Sequence, residues 1–186
     1  MVARGRGVVD VGSGNGYWTY MLRRMKDGKE KKKNLEVVPV DNGLSDWRTL
    51  WVADTVEMDG AEWLRRHEGG KGHVLLMVYP QVSHDFTAKT IKAYGEFFYF
   101  FICALGLEFV IAFYLIFTDS FCSISADGST IVVAGTQNAN GYTAFADELL
   151  VDWFARVMPG WEKVCQIPLP SFAGKDEALF VYERKS

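Results

Sequence analysis

Apolar residues recur along this chain in two rhythms, and the switches between them outline a series of strands and helices. Val8, Val9 and Val11, interrupted only by Asp10, suit a strand buried on both faces. Gly12, Gly14 and Gly16 follow at alternate positions, and Tyr17, Trp18, Met21, Leu22 and Met25 then recur at helical spacing. The segment predicts strand, glycine turn and helix. Leu35 to Val40 predicts a second strand that ends at Asp41, Trp51 to Ala53 a short third strand, and Asp59 to Arg66 a helix. Val74 to Val78 is an unbroken apolar run inside His73 to Gln81, as expected of a central parallel strand, with Tyr79 and Pro80 at its end. Farther along, the pattern predicts a helix from Thr87 to Phe98, a fifth strand from Ser129 to Gly135, and a helix from Ala144 to Met158 stopped by Pro159 and Gly160. Two strands close the chain, Trp161 to Leu169 and Ala178 to Arg184, joined by a turn.

Strands alternating with helices indicate an α/β domain with a mostly parallel sheet. At 186 residues, 49% hydrophobic and 15% aromatic, the chain suits one folded domain with a substantial core. A net charge of −3 provides no general electrostatic footprint for nucleic acid, so no nucleic-acid partner is expected. Cys103, Cys122 and Cys165 form no C-x-x-C pair, so neither a metal site nor a disulfide framework is expected, and a reducing compartment is. The N-terminal MVARGRG has no apolar core of a secretory signal. The basic run from Arg23 to Asn34 reads as a solvated helix end and loop, or else as a phosphate patch.

The glycine turn carries the candidate chemistry. A glycine reaches positive φ and brings no Cβ, so backbone can turn sharply and lie close against a ligand. The dinucleotide fingerprint G-x-G-x-x-G counted from Gly12 requires a third glycine at position 17, which is Tyr17. VDVGSGNGYW instead resembles the first motif of the class I S-adenosylmethionine-dependent methyltransferases: an acidic residue, then glycines at alternate positions after the first strand.

That resemblance implies a Rossmann-like sheet whose last two strands are antiparallel, with S-adenosyl-L-methionine as cofactor. It implies that Asp10, Gly12, Ser13, Gly14, Asn15 and Gly16 form the donor-binding loop. Asp41, with Asn42 beside it, takes the place of the acidic residue that holds the ribose hydroxyls, unless it is a loop aspartate or a cap. Asp54 and Thr55 match the adenine edge, and Asp59 reads equally as a helix N-cap. Tyr79, Gln81, His84 and Asp85 follow the fourth strand, near the reacting methyl group; Tyr79 is expected at the cofactor, and His84 and Asp85 are the candidate general bases. The N/D-P-P-Y/F motif of amino-methylating enzymes is not matched by YPQ, so the acceptor is left as an unidentified small molecule or protein. Many members have helices ahead of the first strand that help cover the substrate, so a minimal or truncated version is expected here.

One stretch stands apart. Phe97 to Phe117 holds 21 residues with a single charge, Glu108, and fourteen of them are Phe, Leu, Ile or Val, long enough to span a bilayer. At about −0.3 to −0.6 kcal/mol for each of these, against roughly +3 for a central acid, insertion is favourable on composition. A span here would divide the sheet between two sides of a membrane, which a continuous sheet cannot survive. The expectation is therefore one methyltransferase-like domain over residues 1–186, carrying a hydrophobic insertion at about 98–126. One origin consistent with that is translation of a retained noncoding interval.

The function expected is methyl transfer in the cytoplasm. Three other classes stay open: a catalytically inactive methyltransferase-like protein, a nucleotide-dependent oxidoreductase, and a membrane-associated interaction protein built on Phe97 to Phe117.

Overall fold

In the computed structural model the described residues are 6–24, 35–46, 48–80, 84–95, 129–138, 141–169 and 177–185. They form, in chain order, β1 (Gly7–Val11), α1 (Tyr17–Arg24), β2 (Val37–Asp41), β3 (Val56–Glu57), α2 (Gly60–Arg66), β4 (His73–Val78), α3 (His84–Ala93), β5 (Thr130–Asn138), β6 (Gly141–Tyr142), α4 (Leu150–Val157), β7 (Trp161–Pro168) and β8 (Glu177–Arg184). Seven strands make one continuous path, β3-β2-β1-β4-β5-β8-β7, and the two-residue β6 pairs with the end of β5. Pairings from β3 to β5 are parallel, whereas β8 runs antiparallel to both β5 and β7. The expected α/β architecture, a mostly parallel sheet with an antiparallel C-terminal hairpin, is what the chain adopts.

The apolar runs have a direct cause. Successive strand residues point to opposite faces, so a strand covered on both sides must be apolar at every position. Val9, Val11, Leu75, Met77, Ile131 and Val133 join a core with Trp63 and Leu64 of α2, Ile91 of α3 and Phe154 of α4. Val8, Val37, Val74, Leu76, Val132 and Val181 form the core of the other face, where Leu22 of α1 packs. Each fully buried Val, Leu, Ile or Phe contributes about 1.5–3 kcal/mol, so the two clusters dominate the stability of the sheet.

Three elements differ from expectation: the third strand and the starts of α3 and α4. The third strand is not Trp51 to Ala53 but β3, whose pairs are Val40 with Val56 and Asp41 with Glu57. Trp51 lies in the preceding loop, where its N–H donates to the carbonyl of Asn15 at 2.8 Å. β4 ends at Val78, as the sequence indicates, and Tyr79 follows at φ +47°, which no strand continues through. α3 begins at His84 rather than Thr87, so His84 and Asp85 lie in its first turn and not in a loop. α4 starts only at Leu150 because Ala144 takes φ +81° and the chain between is irregular.

Helix α1 is helical as expected but not buried as its pattern suggests. Thr19 is its one buried residue, while Tyr17, Trp18 and Met21 are exposed. No helix among the described residues is long and apolar enough to cross a membrane. The insertion at 98–126 and membrane association through Phe97 to Phe117 fall outside the described residues, as do Gln81 and most of the basic run.

Candidate functional site

From β1 the chain moves out to β2 and then β3 on one side, and it returns to β4 on the other. The carboxyl ends of β1 and β4 therefore diverge, which opens the crevice where ligands sit in such sheets. A cavity of about 390 Å³ occupies this place. Gly12, Ser13, Gly14 and Asn15 line it from the end of β1, and Asp41 and Asn42 from the end of β2. Met58 and Asp59 follow β3, and Tyr79 and Pro80 follow β4.

The glycine loop is held from below by β2. Gly12 and Ser13 donate their N–H groups to the carbonyl of Val40 at 2.8 and 3.2 Å. Gly14 donates to Asp41 Oδ2 at 2.9 Å, and the other carboxylate oxygen accepts from the N–H of Gly43, also at 2.9 Å. Gly16 donates to the carbonyl of Ser13 at 2.9 Å. The three glycines have φ of +73°, +55° and +78°, the left-handed region that disfavours any side chain. A Cβ on Gly16 would stand 2.3 Å from Val52 Cγ2, so here the close approach is made by the loop before β3. Asn15 Oδ1 accepts from the N–H of Tyr17, the first residue of α1, at 3.2 Å. The hydroxyl of Ser13 is buried on the cavity lining without a hydrogen-bond partner among the described residues.

Asp10 is only 1% exposed and also lines the cavity. Burial pushes its carboxyl up from 3.8 to about 6, against the lowering effect of hydrogen bonds from Thr19, and the nearby Asp41 charge adds to the rise. The Thr19 hydroxyl donates to Asp10 Oδ2 at 2.7 Å. This bond explains why α1 turns a threonine inward, since a buried carboxylate requires a donor.

Of the residues anticipated at the donor, Asp10, Gly12, Ser13, Gly14, Asn15, Asp41, Asn42 and Tyr79 line this one cavity. Gly16 supports the loop from behind, against Val52. Asp54 is engaged elsewhere: both its oxygens accept from Arg23, at 2.9 and 2.8 Å, and the ion pair lowers its pKa. Neither Asp54 nor Thr55 is among the described lining residues. The shift has a simple cause, because β3 starts at Val56 and Asp59, not Asp54, follows it. Asp59 does both things that its position allows: Oδ1 accepts from the N–H of Glu62 at 3.0 Å and caps α2, and the residue lines the cavity. Asp85 is exposed and His84 is the first residue of α3, while the next residue, Phe86, lines the cavity.

Trp18, Ser45, Met58, Pro80 and Phe86 are lining residues that the pattern alone did not single out. Among the described lining residues there is no Lys, Arg or His, whereas three carboxylates, Asp10, Asp41 and Asp59, are present. No group of acidic, His and Cys side chains suited to a metal ion occurs among the described residues.

No protein-family model matches the chain, and no curated protein is detectably similar to it. The sheet order itself is consistent with a class I methyltransferase-like fold.

Proposed function

We propose that the chain binds S-adenosylmethionine in this cavity and is a methyltransferase. The observation that carries the reading is the joint position of the glycine loop and Asp41 at the switch point of the sheet, with Asp10 and Asp59 beside them and no cationic side chain among the described lining residues. A dinucleotide fits poorly. Its pyrophosphate seeks free N–H groups and positive charge, yet the N–H groups of Gly12, Ser13, Gly14 and Gly16 are all donated within the protein. The methyl donor carries an ammonium and a sulfonium against a single carboxylate, and the cavity carboxylates oppose that net positive charge favourably.

The residues present suit the donor in other ways. Each oxygen of Asp41 accepts one N–H bond, so lone pairs remain for ribose hydroxyls. The Ser13 hydroxyl, without a partner among the described residues, offers a further polar contact. Met58 and Asp59 take the adenine place that Asp54 and Thr55 do not fill. When bound, the donor supplies an electrophilic methyl carbon whose bond to sulfur breaks as an acceptor lone pair attacks in line. The protein's part is to hold the two groups together and exclude water. For an oxygen or nitrogen acceptor that loses a proton, His84 is the proposed base, with Asp85 beside it.

Calorimetric titration with S-adenosylhomocysteine tests the reading. Wild type is expected to bind in the micromolar range, and Asp41→Asn, with its melting checked in parallel, at least about tenfold more weakly. A wild-type chain with a cooperative melt that takes up neither S-adenosylmethionine nor S-adenosylhomocysteine at millimolar concentration would overturn it.

A further inference from the structure

Leu22 of α1 packs inward, but Tyr17, Trp18 and Met21 are turned outward, next to the cavity, and the rings are ordered by one another. Trp18 lines the cavity and is 41% exposed. Tyr17 stands nearly perpendicular to it, with centroids 5.5 Å apart and planes at 78°. The same Tyr17 ring meets Trp51 edge-on at 5.4 Å and 76°, and Tyr20 packs on the other contact of Trp51 at 5.2 Å. Arg24 closes the row over the Tyr20 ring, 5.0 Å from its centroid. Tyr17 and Trp51 are 38% and 43% exposed, so the row lies open to solvent from the cavity outward.

A helix that buries a threonine and exposes two aromatic rings and a methionine departs from ordinary amphipathic patterning, and such departures concentrate where a molecule binds. Rigid rings already fixed edge to face lose little freedom when a flat molecule stacks on them. At the cavity opening a second half-exposed ring, Tyr79, is held at φ +47°. A non-glycine residue is strained there and stays only because its surroundings impose it. The charge of the described lining is wholly acidic, through Asp10, Asp41 and Asp59, so an anion is repelled from this mouth.

We infer that the Trp18–Tyr17–Trp51 row is the acceptor platform, and that the acceptor is a planar aromatic small molecule carrying no negative charge. The inference rests on the proposed donor site, because it names the substrate class for the same cavity. Trp18 is the stacking surface on the cavity lining, and Tyr17, itself backed by Trp51, holds its plane.

Four probes separate ring from charge: indole, tryptamine, indole-3-acetate and isobutylamine, each titrated by ligand-observed NMR with and without saturating S-adenosylhomocysteine. Indole and tryptamine are expected to bind at millimolar strength or better in both conditions, and the other two are expected to be at least about fivefold weaker. Trp51→Ala, outside the cavity lining, is expected to weaken tryptamine about three- to tenfold, and Trp18→Phe to retain it better than Trp18→Ala. Displacement of the indoles by S-adenosylhomocysteine would assign Trp18 to the donor and overturn the inference. So would equal binding of isobutylamine, or tighter binding of a short single-stranded oligonucleotide. If S-adenosylhomocysteine does not bind but the indoles do, the donor reading fails while the aromatic site stands. If S-adenosylhomocysteine binds and the indoles do not, only the acceptor inference fails.

Discussion

Asp41 Oδ2 accepts the N–H of Gly14 at 2.9 Å, tying the end of β2 to the middle of the glycine loop across 27 positions of sequence. The residue that the motif marks as a ligand is thus also part of the scaffold that shapes the loop. A carboxylate that accepts two backbone N–H groups makes charge-assisted bonds, and removing it leaves the part-buried N–H of Gly14 without its acceptor, whereas the exposed N–H of Gly43 turns to water.

Asp41→Ala is therefore expected to destabilise the chain by about 1.5–3 kcal/mol and to lower the melting temperature by about 3–10 °C. Asp41→Asn keeps one acceptor oxygen and is expected to lose less. Thermal melts of both variants check this, and an unchanged melting temperature for Asp41→Ala would remove Asp41 from the scaffold.

The buried Asp10 makes stability depend on pH. Its folded value of about 6 lies above the ordinary 3.8, so the native state keeps its proton through that window while the unfolded chain has lost it. Stability falls as pH rises through the window, and above pH 6 the native state carries the full penalty, on the order of 3 kcal/mol. Asp10→Asn, which still accepts from Thr19, is expected to melt higher than wild type at pH 8, with the advantage shrinking toward pH 4. An advantage equal at both pH values would contradict the buried charge as its cause.

The same carboxylate predicts the pH dependence of cation binding. A positive ligand favours ionised Asp10, so affinity for S-adenosylmethionine is expected to rise about tenfold from pH 5 to pH 7 and to flatten in Asp10→Asn. Titrations across that range decide it. A profile that keeps its slope in the variant would assign the proton to another group.

Gly16 has no room for a side chain. Its φ of +78° and the 2.3 Å approach to Val52 Cγ2 together make Gly16→Ala destabilising by about 1–3 kcal/mol. Adding Val52→Ala is expected to recover the part due to contact but not the part due to φ. Urea melts of the double-mutant cycle measure the coupling, and strictly additive effects would rule out the contact.

Two aspartates near β3 are expected to behave differently. Asp54→Ala breaks an exposed pair with Arg23, so it should cost at most about 1 kcal/mol and leave donor affinity unchanged. Asp59→Ala removes the α2 cap, worth about 1 kcal/mol, and one cavity carboxylate. Calorimetry on both should show weaker binding only for the second. The reverse order would restore Asp54 to the site.

The parts of this fold that could be read from the chain are those governed by local chemistry. Val8 to Val11 and Val74 to Val78 read as strands covered on both faces, because the runs are short, rich in valine and bounded by glycine or proline. Gly12, Gly14 and Gly16 mark positive φ through their own lack of a Cβ, and Asp41 follows from where β2 must end. Other features depend on neighbours distant in sequence. β3 has only two residues and no rhythm, so its place comes from pairing with Val40 and Asp41, and that register moves the cavity carboxylate from Asp54 to Asp59. The inward Thr19 answers the buried Asp10, and the aromatic face of α1 turns outward in consequence. Phe86 of α3 meets the glycine loop from a distant part of the chain: a Cβ on Gly12 would stand 3.3 Å from its ring. Periodicity reports which residues seek burial, but the balance of burial against hydrogen bonding is settled only among groups that folding brings together.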